Sequence, residues 1–259
     1  MMISIWGKNG SGKSTLASNL AGAFAKRGYQ TALVGSNRFY GAIQHYFNME
    51  IRTDQSMRTL LTGGDSLSIH DYFIECPYEK KIHIASLADR DDYAGYRKMR
   101  VDMAVRFLNL VSKNYPVTLI DCDESTDDPL SMYSLTMSDK IAYVARPALQ
   151  SVIFAKAYES IVAGLQIKEK INVIYVAGAA GSPSSAETGL FAPFGITASG
   201  YRVLPYCKEI ERPRENSTPI VFSHGDSRAA ARYRKVILAI ADSYLSGCKI
   251  GRDINNANE

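Results

Sequence analysis

An apolar tetrapeptide, Ile3-Ser4-Ile5-Trp6, runs directly into Gly7-Lys8-Asn9-Gly10-Ser11-Gly12-Lys13-Ser14. Thr15-Leu16-Ala17-Ser18-Asn19-Leu20-Ala21 then carries a helical pattern. The octapeptide fits G-x-x-x-x-G-K-[ST], the phosphate-binding loop, in the strand–loop–helix setting that the motif requires. Its glycines let the backbone curl with N–H groups pointing inward, where side chains would obstruct a phosphate. The helix N-terminus adds partial positive charge. Gly7 to Thr15 are therefore the candidate nucleotide-binding residues. Lys13 is expected to reach the β- and γ-phosphates, and the Ser14 hydroxyl to ligate Mg2+.

A second acidic element belongs with such a loop. Val117-Thr118-Leu119-Ile120 reads as a buried strand that closes on Asp121. An apolar strand ending in Asp is the Walker B pattern, and Asp121 is expected to hold the Mg2+ directly or through water.

Lys8 narrows the choice, because an ordinary phosphate-binding loop needs no lysine after its first glycine. With Lys8 present, the loop resembles the deviant Walker A sequence KGGxGK[ST] of the MinD/ParA ATPases, Asn9 standing for one glycine. The motif order spreads this resemblance over residues 2–245. It implies an α/β fold, a mostly parallel sheet with helices on both faces. It implies ATP and Mg2+ as cofactors, with catalytic roles for Lys8, Lys13 and Asp121. It also implies an ATP-dependent homodimer in which Lys8 reaches the partner's ATP. Two triphosphates brought face to face repel, and a lysine from each side neutralises them. The implied role is to position cargo (a plasmid, chromosome, pilus or secretion machine) through a protein partner or adaptor.

Three departures qualify the resemblance. The strand Thr31-Ala32-Leu33-Val34 runs into Gly35-Ser36-Asn37, where the family carries D-x-D and the second Asp positions the attacking water. Asn37 is the candidate catalytic residue there; it can hydrogen-bond but cannot accept a proton, so slow hydrolysis is expected. After Asp121 the run Cys122-Asp123-Glu124-Ser125-Thr126-Asp127-Asp128 is acidic where relatives carry small residues and proline. It reads as a partner-binding switch or an altered catalytic site. Finally, the Asn that reads adenine in relatives falls at Ala177-Gly178. Base specificity thus stays open, although Pro205-Tyr206 resembles the segment lining the base pocket.

Elsewhere strands and helices alternate, as a doubly covered parallel sheet requires. Further strands are expected at Lys80–Leu87, Lys140–Val144, Ile171–Val176 and Tyr201–Leu204. Helices are expected at Arg97–Asn114, with Met99, Met103, Phe107 and Leu110 on one face, at Gln150–Leu165 and at Asp226–Leu245. Shorter helical segments are expected at Met57–Gly64 and Leu67–Phe73. Asp89-Arg90-Asp91-Asp92 reads as a solvated turn. Residues 1–246 make one domain and 247–259 a polar tail without order.

No run approaches about 18 apolar residues, and the first strand leaves no room for a leader, so a cytoplasmic protein is expected. Four dispersed cysteines suggest neither a zinc site nor a disulfide framework. Net charge is +4, most of it in residues 201–259, which hold ten Lys/Arg against seven Asp/Glu. Arg228, Arg232 and Lys235, spaced four and three apart, would share a helix face able to meet DNA phosphates nonspecifically. Residues 251–259 do not form the basic amphipathic helix of a membrane anchor. Two other classes remain open on these residues: a nucleotide-binding scaffold with little or no hydrolysis, and a small-molecule kinase or synthetase of the same fold.

Overall fold

The first strand of the chain, β1 (Met2–Trp6), lies in the middle of the sheet. In the computed structural model, which describes residues 1–62, 68–91, 99–178, 200–211, 218–223 and 227–246, it is flanked by two parallel partners. The other strands are β2 (Thr31–Gly35), β3 (Ile74–Cys76), β4 (Glu79–Ala85), β5 (Val117–Asp121), β6 (Lys140–Ala145), β7 (Ile171–Val176) and β8 (Tyr201–Leu204). Their order is β3-β4-β2-β5-β1-β6-β7-β8, and every pairing is parallel except β3 with β4. β1, β2 and β5 are buried at every residue, which explains their continuous apolar runs.

The helices are α1 (Lys13–Lys26), α2 (Met57–Thr62), α3 (Val101–Asn114), α4 (Pro129–Met137), α5 (Leu149–Gly164), α6 (Lys208–Glu211) and α7 (Arg228–Ser246). Alternate side chains of the strands divide the core in two. Ile3, Ile5 and Leu33 pack with Leu16, Phe24, Ile237 and Ile240 of α1 and α7. Trp6, Ala32 and Val34 face Phe107, Leu130 and Phe154 of α3, α4 and α5. The expected parallel sheet with helices on both faces is therefore the observed architecture. Ser4 sits on the second face, where its hydroxyl meets those of Ser134 (3.0 Å) and Ser138 (2.7 Å), so this buried hydroxyl is satisfied.

Several expectations need correction. Residues 69–72 form turns rather than a short helix, and they lead into an unforeseen antiparallel hairpin, β3–β4, closed by Pro77-Tyr78. Helix α3 starts at Val101, after an extended Arg100, so buried Met99 lies outside it. Its buried stripe is Met103, Ala104, Phe107, Leu108 and Val111; Leu110 is only partly buried. Asp91 is not solvated. Its carboxylate is enclosed, accepting the Ala88 N–H (2.9 Å) and the Ser56 hydroxyl, with Arg58 Nε 3.3 Å away. It thereby ties the exit of β4 to the start of α2. Gly63, Gly64, Asp92, Arg97, Lys98, Asp226, residues 179–185 and the tail 247–259 lie outside the described residues.

Candidate functional site

Register brings the key segments to one edge of the sheet. Ile5 and Gly35 both pair with Asp121, and Trp6 pairs with Tyr143. The loop after β1, the turn after β2, the last residue of β5 and the exit of β6 therefore share the carboxyl ends of the parallel strands, where ligands bind in this architecture. Trp6 fixes the departure of the loop by packing on Tyr143, Phe154 and Tyr158 at centroid distances of 5.7, 5.4 and 5.3 Å.

Two glycines have demonstrable reasons. A Cβ at Gly7 would overlap the Val144 carbonyl oxygen. Gly12 caps α1 in the left-handed region (φ 102°), which L side chains rarely adopt. Ser11 N–H donates to the Lys8 carbonyl (3.1 Å), which closes the curl. Lys13 folds back over it, donating to the carbonyls of Gly7 (2.8 Å) and Lys8 (3.2 Å) and to Asn9 Oδ1 (3.2 Å). Burial lowers the Lys13 pKa, and Asp121, Asp123 and Glu124 oppose that shift. Lys8 is half-buried, and its ammonium has a long contact, 3.4 Å, with the Asn9 carbonyl.

Ser14 and Asp121 meet as expected: Ser14 Oγ donates to Asp121 Oδ2 at 2.6 Å. Asp121 is 7% exposed, and its Oδ1 is buried without a hydrogen-bond partner. Burial pushes this carboxyl up to about 6; the Ser14 hydrogen bond and the Lys13 charge pull it down, and Asp123 pushes it up. A hydroxyl beside a carboxylate with one unspent oxygen suits a hard cation that keeps most of its ligands as water and phosphate, so Mg2+ fits these residues. Among the described residues there is no group of three or more His, Cys, Asp or Glu able to hold a metal by itself.

Asn9, Gly10, Gly12, Lys13, Ser14, Thr15, Asn37 and Asp121 line one cavity of about 430 Å3. Asn37 faces it with its side-chain carbonyl already engaged, accepting the N–H groups of Phe39 (2.9 Å) and Tyr40 (3.4 Å). The adjoining cavity, about 240 Å3, is apolar, with Val176, Leu204 and Ile210 in its walls; Pro205, Tyr206 and Gly178 line it too. Gly12, Thr15 and Arg146 border both cavities.

The acidic segment has a structural account. Asp128 caps α4 by accepting the Ser131 N–H (2.7 Å), Pro129 holding the first helical position. Asp123 N–H donates to the hydroxyls of Ser36 (3.0 Å) and Ser131 (2.9 Å). Glu124 Oε2 accepts the Asn9 N–H at 2.7 Å, so a carboxylate touches the phosphate-binding loop itself. Cys122 is buried with its thiol pushed up to about 12, as an inert packing residue should be.

Sequence reasoning missed Arg146, Tyr46 and Tyr233. Arg146 follows directly on β6, at a strand's carboxyl end, which is the signal that could have found it. Tyr233 is a core residue of α7, yet it also lines the apolar cavity. Arg228, Arg232 and Lys235 are all exposed on α7; about two turns beyond Lys235, Asp242 pairs with Arg27 at 2.7 and 2.8 Å. None of the three borders either cavity.

No protein-family model matches the sequence, and no curated protein is significantly similar to it. Solved structures do match its fold. MinD from Pyrococcus horikoshii, complexed with Mg-ADP, is 18% identical with a TM-score of 0.73, over 96% of this chain and 99% of that one. A ParA family ATPase from Chlorobium tepidum is 15% identical with a TM-score of 0.75, over 93% and 96%. Cobyrinic acid a,c-diamide synthase from Mycobacterium smegmatis, with bound ADP and magnesium, is 13% identical with a TM-score of 0.64, over 96% and 97%. The fold is thus that of the MinD and ParA ATPases, and a synthase shares it. Among the described residues no helix is long and apolar enough to cross a membrane.

Proposed function

We propose that the chain is a MinD/ParA-type ATPase: a switch that binds Mg-ATP, pairs with a second copy of itself and hydrolyses slowly. The observation that carries this reading is the Ser14–Asp121 pair at the foot of the loop, with Asp121 Oδ1 buried and unpartnered. Backbone N–H groups of the loop and the α1 N-terminus would receive the phosphates. Lys13 would exchange its three contacts within the loop for phosphate oxygens. Mg2+, when bound, supplies positive charge to the β- and γ-phosphates.

Pairing is supported by what borders the site. Tyr40 lines the phosphate cavity and is 61% exposed; Leu149 and Ile153, at the start of α5 just beyond the apolar cavity, are 73% and 57% exposed. Large exposed apolar side chains grouped around a site call for a partner surface. A second copy placed across the nucleotides would cover them and bring Lys8 to the opposite triphosphate. The neighbours include a MinC:MinD complex from Aquifex aeolicus, which supports a protein partner in the same way. Positioning of a cargo through that partner follows from the same resemblance.

Asn37 favours a second reading, a nucleotide-dependent scaffold with little turnover, because its side-chain carbonyl is bound to its own turn. The experiment is a solution-mass measurement with and without Mg-ATP, on the wild type and Lys8→Ala, with phosphate release followed in parallel. A wild-type dimer only with ATP, absent in Lys8→Ala, supports the switch. A monomer under both conditions refutes it, and a dimer that releases no phosphate favours the scaffold.

A further inference from the structure

We propose that Arg146, with the phenols of Tyr46 and Tyr233, clamps the middle of a bound nucleotide, its α-phosphate and ribose, at the seam between the two cavities. This rests on the nucleotide reading above. If the β- and γ-phosphates lie beside Lys13 and Ser14, and the base enters the apolar cavity, the α-phosphate and ribose must cross the boundary between them. That boundary is made of Gly12, Thr15 and Arg146, the residues common to both cavities.

Three donors from distant parts of the chain converge there. Arg146 leaves β6, and its guanidinium makes no hydrogen bond or ion pair with any described side chain. Arg146 lines the phosphate cavity together with Tyr46 and the apolar cavity together with Tyr233. Tyr46, in a 3-10 turn after β2 (Ile43–Phe47), holds its hydroxyl 3.4 Å from Thr15 Oγ1, at the outer limit of a hydrogen bond. Tyr233 is 2% exposed, and its hydroxyl is buried with no partner, although the ring lines the apolar cavity. A buried hydroxyl without a partner is costly unless something supplies one.

The chemistry of the set selects the ligand. Both phenols are held neutral by burial, so both donate. A fork of guanidinium N–H groups beside two O–H donors suits anionic and hydroxyl oxygens, as a phosphodiester and a ribose present them. Much of the apolar cavity's wall offers a nucleotide no hydrogen-bonding side chain: Gly178 contributes none, and Val176, Leu204 and Ile210 only apolar surface.

Calorimetric titration of the full chain with Mg-ATP and with magnesium pyrophosphate separates this clamp from general phosphate attraction. Arg146→Ala, an exposed position whose loss leaves the core intact, should weaken Mg-ATP about 10- to 100-fold, the range of a charge-assisted hydrogen bond. Pyrophosphate, which fills only the β- and γ-positions and has no α-phosphate, ribose or base, should change less than about threefold. Arg146→Lys should recover part of the ATP affinity, since it keeps the charge but loses the fork. Tyr233→Phe should also weaken Mg-ATP, while leaving the melting temperature of the nucleotide-free protein unchanged or raised, because the lost hydroxyl had no partner. ATP affinity unchanged in both Arg146→Ala and Tyr233→Phe overturns the clamp. So does an equal loss of pyrophosphate in Arg146→Ala. A lower melting temperature for Tyr233→Phe overturns the role given to that phenol. A wild type that binds neither ligand overturns the nucleotide reading itself, a distinct result.

Discussion

Asp121→Asn should stabilise the nucleotide-free protein while removing its response to magnesium, opposite effects from one substitution. The carboxyl is enclosed, facing Lys13 across the loop, Ser14 on α1 and Asp123 next but one along the chain. It titrates at about 6 in the folded chain against 3.8 for the free side chain. Because the folded value is the higher one, the folded state binds more protons between those two limits. The group's contribution to stability is therefore intact below about pH 4 and is lost as pH rises through about 6. At about 1.4 kcal/mol per pKa unit, the loss at neutral pH is about 2 to 3 kcal/mol. Asn imitates the neutral carboxyl and keeps an acceptor for Ser14 Oγ. In a protein of this size each kcal/mol moves the melting temperature by about 2–4 °C. The variant should melt about 5–10 °C higher than wild type at pH 7 in EDTA, and at nearly the same temperature at pH 4. Scanning calorimetry at pH 4, 5, 6 and 7 reads this directly. Adding Mg-ATP should raise the wild-type melting temperature through ligand linkage and leave the variant nearly still. A variant less stable than wild type at pH 7, or a difference that does not vary with pH, refutes the reasoning.

Lys13→Ala should weaken Mg-ATP binding by at least about tenfold in a titration, since a charge-assisted contact is lost; unchanged affinity in a folded variant contradicts the loop assignment. Asn37→Asp should raise phosphate release several-fold if the missing acid limits the rate, because Asp can still accept the Phe39 N–H and adds a proton acceptor. Leu149→Ser with Ile153→Ser should leave nucleotide affinity intact and abolish ATP-dependent pairing in sedimentation. Replacement of Arg228, Arg232 and Lys235 by Ala should remove any low-salt shift of nonspecific duplex DNA; if the wild type gives no shift, the stripe is only a solvated face.

The phosphate loop was legible because its constraint is local: a motif of eight residues dictates its own curl, and the strand and helix beside it are its neighbours in sequence. The burial of β5 was legible for a similar reason, since a mostly apolar run suits a strand covered on both faces. Asp91 was misread because its partners, Ser56 and Arg58, are far away in the chain, and charge alone suggested water. The acidic run after Asp121 resisted interpretation as a block. Its members do separate jobs, Asp128 capping α4 and Glu124 reaching back to Asn9. Arg146, Tyr46 and Tyr233 were invisible as a group because only the fold brings β6, the turn after β2 and α7 together.

The placement of β1 also has a kinetic side. Its hydrogen-bonding partners are β5, where Met2 pairs with Thr118, and β6, where Ile3 pairs with Lys140. A chain emerging from the ribosome therefore carries an apolar strand whose two neighbours are synthesised more than a hundred residues later. Long-range pairings of this kind close slowly, and they leave a sticky segment exposed while synthesis continues. Over the same interval the phosphate loop lacks Asp121, the partner of Ser14. Nascent chains truncated before β6 should bind no nucleotide and should engage chaperones instead.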